Sequence, residues 1–160
     1  GRNTSLAFII ASGTIGGAWE GALHGLPAAA LSQEIPMTAF ARLREAGGKP
    51  EPELHATLRI TAQRAALLAP ELLAQTAPQC FTVHNLNFPY PARPDAPVRR
   101  TVPAHNILPR LFAPADANGV HRFDFTPGHD LSPPELSTDV AAVAAGAISH
   151  TVLDYRRLGH

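Results

Sequence analysis

Apolar and polar positions along the chain mark out a short series of elements. Residues 5–11, Ser-Leu-Ala-Phe-Ile-Ile-Ala, form an apolar stretch suited to buried structure. Beyond it Ile15, Trp19, Ala22 and Leu23 recur at helical spacing. Ser12 or Thr14 is placed to cap the first turn, and Gly25 to end the helix as its C′ residue. Gly16, Gly17 and Gly21 each cost such a helix about 1 kcal/mol against alanine, so their presence predicts close packing against a sheet or another helix. Residues 26–32 are apolar and alanine-rich. Composition alone favours helix there, whereas the short length and the leading Gly-Leu-Pro favour a buried strand.

Residues 47–53, Gly-Gly-Lys-Pro-Glu-Pro-Glu, read as a turn or linker. After them Leu54, Leu58, Thr61, Ala65, Leu68 and Leu72 repeat at steps of three and four, the clearest amphipathic pattern in the chain. Pro70 interrupts it, which predicts an end near Ala69 or a kink before a last turn toward Gln75. Residues 80–84 read as a strand leading into Asn85-Leu86-Asn87-Phe88-Pro89. Four prolines in residues 89–97 demand an extended arm or loop. Residues 99–105 and 119–125 are weaker strand candidates that pair as a hairpin in this reading, with Asp116-Ala117-Asn118-Gly119 a strong turn signal between them. Residues 131–135 form another proline-rich loop. Ser137-Thr138-Asp139 caps a short helix through Ala145, and residues 147–153 close with a strand.

Composition narrows the function classes. The chain has 160 residues, with 13 basic and 13 acidic side chains, so no net field steers it toward nucleic acid or an anionic membrane. The single Cys80 excludes an internal disulfide framework and a cysteine-only zinc site. No apolar run reaches the roughly 18 residues that span a bilayer, which points to a soluble, cytoplasmic chain. The chain opens Gly1-Arg2-Asn3-Thr4 without an initiator methionine and runs straight into apolar sequence, so the upstream part of a larger domain is expected to be missing.

The strongest chemical signal is the turn Ser12-Gly13-Thr14 before the first patterned helix. Free backbone N–H groups at a helix start, joined by the Ser12 and Thr14 hydroxyls, suit an anion, phosphate above all. The bland alternative is a plain N-cap at Ser12. Neither a Walker A loop nor a Gly-x-Gly-x-x-Gly fingerprint is present. The histidines at 24, 55, 84, 105, 121, 129, 150 and 160 show no metal spacing and read as surface or core-edge residues. His129-Asp130 lacks a nucleophile elbow to complete a triad. Trp19 reads as a core anchor, and Arg99-Arg100 and Arg156-Arg157 as solubilising pairs.

The stretch from Ser12 to Ser32 resembles one segment of the SurE-type 5′/3′-nucleotidases, Ser-Gly-Thr-Val-x-x-Ala-x-Glu-Gly followed by Gly-x-Pro-x-x-Ala-x-Ser. Asn85-Leu86-Asn87-Phe88-Pro89 is similar to that family's Asn-Val-Asn-x-Pro, Asp116-Ala117-Asn118-Gly119 to its Asp-x-x-Gly, and Thr138 to Ser149 to its Thr-Asp-x-x-Ala-x-x-x-Gly-Tyr-Val-Ser. The four motifs keep the family's order over nearly the whole chain. Departures fall at Ala147, His150, Val152 and Gln33-Glu34-Ile35-Pro36.

The resemblance implies a Rossmann-like α/β SurE fold, a three-layer α/β/α partial core with an extended β-hairpin arm and a C-terminal segment. Residues 1–160 would be one domain truncated at its N-terminus, divided into core remainder (1–88), arm and loops (89–137) and C-terminal helix and strand (138–160). It further implies removal of phosphate from nucleoside monophosphates with Mg²⁺ or Mn²⁺, and a homodimer or tetramer. Ser12, Gly13 and Thr14 would border the phosphate, with Gly1, Arg2 and Asn3 as active-site loop neighbours. The metal ligands, an Asp-Asp pair, a serine further on and the asparagine of Ser-Gly-x-Asn-x-Gly, would lie upstream of Gly1. The isolated chain would then be inactive. The competing readings are a non-catalytic assembly module and, further behind, a dinucleotide-binding oxidoreductase.

Overall fold

The computed structural model describes residues 2–122 and 128–157. The chain runs α1 (Ser5–Ala11), α2 (Gly13–Leu23), β1 (Ala28–Gln33), α3 (Met37–Glu45), α4 (Pro52–Ala74), β2 (Thr82–Phe88), β3 (Val98–Thr101), β4 (Asn106–Ile107), β5 (His129–Asp130), α5 (Asp139–Ala144) and β6 (Ile148–Asp154). A last single turn of 3₁₀ helix covers Tyr155–Arg157.

Four strands make the main sheet in the order β1-β2-β6-β3. β1 is parallel to β2, with Ala28 beside Val83 and Gln33 beside Phe88. β2 is antiparallel to β6, and β6 is parallel to β3. Side chains alternate across such a sheet, so each strand serves two layers. On one face Val83, Ala28, Ala30 and Leu153 pack with Ile9, Ile15, Ala22 and Trp19 of α1 and α2. On the other, Leu86, Phe88 and Ile148 pack with Leu31 and with Ala65, Leu68 and Leu72 of α4. The result is an α/β fold with helices on both faces.

Trp19 anchors the first layer by stacking on Tyr155, with ring centroids 3.6 Å apart. Ser12 caps α2 by accepting the Ile15 N–H at 3.1 Å. Gly25, at φ +78°, ends it: Gly25 N–H bonds Ala22 and Leu26 N–H bonds Gly21, which satisfies the last carbonyls. Of the two readings of residues 26–32, the strand is the one that forms, as β1. Its last residue, Gln33, donates to the carbonyls of Glu34, Phe88 and Pro89 and accepts from Thr61 Oγ1 of α4, which stitches the second layer to the strand end.

Several expectations change. A Cβ built at Gly16, Gly17 or Gly21 meets nothing within 4 Å, so these glycines do not mark close packing in the described structure. α4 continues through Pro70 to Ala74. Pro70 and Ala66, whose carbonyl has no N–H partner at Pro70, are both exposed, so the lost bond falls on the solvent side of the helix. Leu58 of the apolar stripe is exposed, and Thr57 is buried in its place. β2 begins at Thr82, because Gln79 and Phe81 hold positive φ and cannot join an extended ladder. α3, which had no sequence-based counterpart, follows β1.

Among the described residues, 99–105 do not pair with 119–122. Val98–Thr101 joins the main sheet beside β6, while the two-stranded arm forms between β4 and β5. The Asp116–Gly119 turn is present, with the Asp116 carboxylate accepting the N–H groups of Asn118 and Val120. Residues 123–125 of that strand candidate lie outside the described residues. Among the described residues, no single helix is long and apolar enough to cross a membrane, and the α1–α2 pair is bent by 65°.

Candidate functional site

Segment 2–5 sits on a frame of buried polar side chains at the ends of β1 and β2. Asn85 and Asn87 lie two apart on β2, so both project to the same face as Val83, and each is 0% exposed. Asn87 Oδ1 accepts the Asn3 N–H at 2.6 Å, and the side-chain amides of Asn85 and Asn87 donate to the Asn3 carbonyl at 2.9 and 3.2 Å. Asn3 in turn donates from its own side chain to Ser32 Oγ of β1 at 2.7 Å. Arg2 pairs with Glu34 at 2.6 Å. The main chain of Asn3 is thus gripped on both its donor and its acceptor side.

Asp139, at the start of α5, holds Ser5. Its Oδ2 accepts the Ser5 N–H at 2.9 Å, and its Oδ1 accepts those of Ala104 and Val140 at 2.9 and 2.8 Å. Burial pushes this carboxyl above the ordinary carboxylate range, and the three N–H groups and the Arg2 charge offset the shift only in part. Ser5 is 1% exposed, has φ +64°, and its Oγ has no hydrogen-bond partner. A buried serine in the left-handed region marks a backbone held in place by its surroundings.

α1 then spans seven residues, about 10 Å at the usual rise, to the start of α2. There Gly13 and Thr14 are exposed and Ser12 is half-buried. Ser12 satisfies two first-turn donors, taking the Ile15 N–H on Oγ and the Gly16 N–H on its carbonyl at 2.9 Å. The plain capping role is therefore realised at Ser12. The helix start is nonetheless open to solvent at Gly13 and Thr14, as an anion would need. Gly1 lies outside the described residues.

The described residues do not fit a Mg²⁺ or Mn²⁺ site. Hard cations take oxygen ligands. Asp139 accepts two N–H groups on Oδ1 and one on Oδ2, and the carboxamide donors of Asn85 and Asn87 point at the Asn3 carbonyl. No three of His, Cys, Asp and Glu converge among the described residues. His129 and Asp130 are exposed in β5, where Asp130 accepts the Ser132 N–H in a local turn. Arg156 and Arg157 pair with Asp154.

In the sequence Ser32, Asn85 and Asn87 stand only as landmarks of the resemblance and Asp139 as part of a helix cap, and none of them is expected to hold residues 2–5. A usable signal was the Asn-x-Asn spacing on a strand, which places two amides on one face where apolar residues are otherwise expected.

The family model described as survival protein SurE matches residues 1–107. A protein of Methanosarcina acetivorans named 5′-nucleotidase SurE is 30% identical over 108 residues, covering 68% of this chain and 39% of that protein. The crystal structure of the SurE protein from Aquifex aeolicus superposes with a TM-score of 0.59 at 23% identity, covering 96% of this chain and 55% of that one. The chain thus spans about half the length of these relatives or less.

Proposed function

The chain belongs to the survival protein SurE family, and from that premise we propose that it contributes the phosphate-gripping part of a 5′/3′-nucleotidase acting on nucleoside monophosphates. The observation that carries this reading is the solvent-open start of α2 at Gly13 and Thr14, held one short helix away from a segment fixed by Asn85, Asn87 and Asp139. The amides there, with the Thr14 hydroxyl, bind phosphoryl oxygens and stabilise charge that develops on them during hydrolysis. Ser12 orients the turn through its bond to Ile15. The Asn85–Asn87 grip keeps Arg2 and Asn3 in register with the strand ends, where open α/β sheets place their ligands. In such chemistry a divalent cation would activate a water nucleophile; among the described residues no three of His, Cys, Asp and Glu converge to hold one.

Two measurements test the reading. Titration of the labelled chain with AMP is expected to shift the Gly13 and Thr14 amide resonances; shifts confined to other segments count against it. Incubation of the 160-residue chain with AMP and Mn²⁺ is expected to release no phosphate above the blank. Strong Mn²⁺-dependent release would refute the assignment of the cation ligands to residues elsewhere.

A second reading, assembly, is favoured by the arm. Ile107, Phe112, Val120 and Leu131 are all more than half exposed there, and a cleft of about 640 Å³ is lined by Phe112, Ala113, Pro114, Arg110 and His121. An apolar surface of this kind suits a homodimer or tetramer. Sedimentation velocity is expected to show association at micromolar concentration, and a compact monomer would end the assembly reading.

A further inference from the structure

On the α4 face of the sheet, away from the Asn85–Asn87 frame, a cleft of about 330 Å³ is lined by His84, His150, Arg100, Thr76 and Thr82, together with Cys80 and the end of α4. His84 of β2 and His150 of β6 stack with ring centroids 5.1 Å apart, and His84 Nδ1 lies 2.8 Å from His150 Nε2. His84 Nε2 lies 2.7 Å from Thr76 Oγ1, which donates to the Leu72 carbonyl at 2.6 Å.

The proton positions follow from one constraint. The Leu72 carbonyl can only accept, so the single Thr76 hydroxyl proton goes to it. Thr76 Oγ1 therefore accepts from His84 Nε2–H. Both imidazoles are neutral near pH 7. Burial pushes each below its ordinary value, with Arg100 acting in the same direction, and His84 helps bring His150 to about 4. A neutral His84 protonated on Nε2 has a bare Nδ1, which accepts from His150 Nε2–H. The chain of donors ends with His150 Nδ1 bare and without a partner among the described residues.

Arg100 has no ion pair or hydrogen bond among the described residues. Among the described residues that line the cleft there is no acid, and Asp154, further along β6 on the same face, is paired with Arg156 and Arg157. The end of α4 supplies Leu72, Gln75 and Thr76, the residues before β2 supply Ala77 and Cys80, and β3 supplies Arg100. Glu135 lies in the neighbouring cleft beyond Arg100 and forms no ion pair with it. A cation and two imidazoles without a counter-charge make an unbalanced pocket.

We propose that this cleft is a subsite for a tetrahedral oxyanion, held by the Arg100 guanidinium and by His150 Nδ1 after that nitrogen takes up one proton for each anion bound. The proton costs the pair no hydrogen bond, because His150 Nε2–H still donates to His84. The imidazolium and Arg100 then supply charge-assisted donors to the anion. The subsite does not depend on the nucleotidase reading, whose phosphate would sit at α2 on the opposite face.

Sulfate is the first probe, since its charge is constant from pH 5 to 8. Titration of the full chain near pH 5.5 and near pH 7.5, followed by the imidazole ¹⁵N resonances, is expected to move His150 Nδ1 into the protonated range. The affinity is expected to be at least about tenfold tighter at the lower pH. R100Q, at an exposed position that leaves the fold intact, is expected to weaken binding about tenfold, and H150Q to remove its pH dependence. Inorganic phosphate and AMP as further arms separate a free anion from a nucleotide's phosphate group. Affinity for sulfate independent of pH, unchanged in R100Q, or shifts confined to Gly13 and Thr14, would overturn the proposal, and the last result would leave the α2 reading standing.

Discussion

Asp139 accepts three main-chain N–H groups while wholly buried, so its contribution is visible only through what it would leave unpaired. In Asp139→Asn an amide donor faces a backbone donor, and stability is expected to fall by on the order of 3 kcal/mol, read as a lower urea midpoint at unchanged slope. Ser5 offers the opposite sign. Glycine tolerates φ +64° and removes an unpartnered buried hydroxyl. Ser5→Gly is therefore expected to match or exceed the parent by about 1 kcal/mol. A clear loss would mean that the Ser5 hydroxyl has work of its own. Neither role was legible in the sequence. Asp139 could be read as a first-turn helix acid, but its partners Ser5 and Ala104 lie far away along the chain.

At the scale of elements, α2 keeps its glycines without a steric reason among the described residues. Gly16→Ala and Gly17→Ala are each expected to raise stability by about 0.5–1 kcal/mol, checked by thermal unfolding. A loss there would show that another surface closes on that face. In the arm the reverse holds: a Cβ at Gly128 would lie 2.0 Å from the Ile107 carbonyl oxygen, so alanine is expected to break the β4–β5 pairing. The β2–β6 pairing carries a pH dependence. The folded pKa values of His84 and His150 lie below the unfolded value of 6.5, so the stability they contribute is fully present above that pH. It is lost as pH falls from about 6.5 toward 4. Asp139, raised by burial, has the opposite slope and does not add to this acid loss. Melting temperatures across that window are expected to fall, and H150Q to flatten the curve. The amphipathic stripe of α4 was readable from its spacing alone, because one helix face meets one sheet face. Its passage through Pro70 was not, since tolerance there depends on which carbonyls water can reach.

For the whole molecule, periodicity and capping residues determined the start and glycine-ended close of α2 and the short helix after Thr138. Each depends on neighbours within a few residues, which is why local pattern suffices. The α/β class came with the family resemblance, and the sequence leaves residues 26–32, where β1 forms, between helix and strand. Four ordered motifs also determined the family. Tertiary structure alone decided that residues 98–101 leave the arm and close the sheet beside β6, since hydrogen-bond partners distant in sequence compete there on equal local terms. It alone brought Asn85, Asn87 and Asp139 around residues 2–5, and set His84 against His150 across two antiparallel strands. A buried polar contact between remote segments is specified by where the sheet carries them, and no single segment's pattern contains that information.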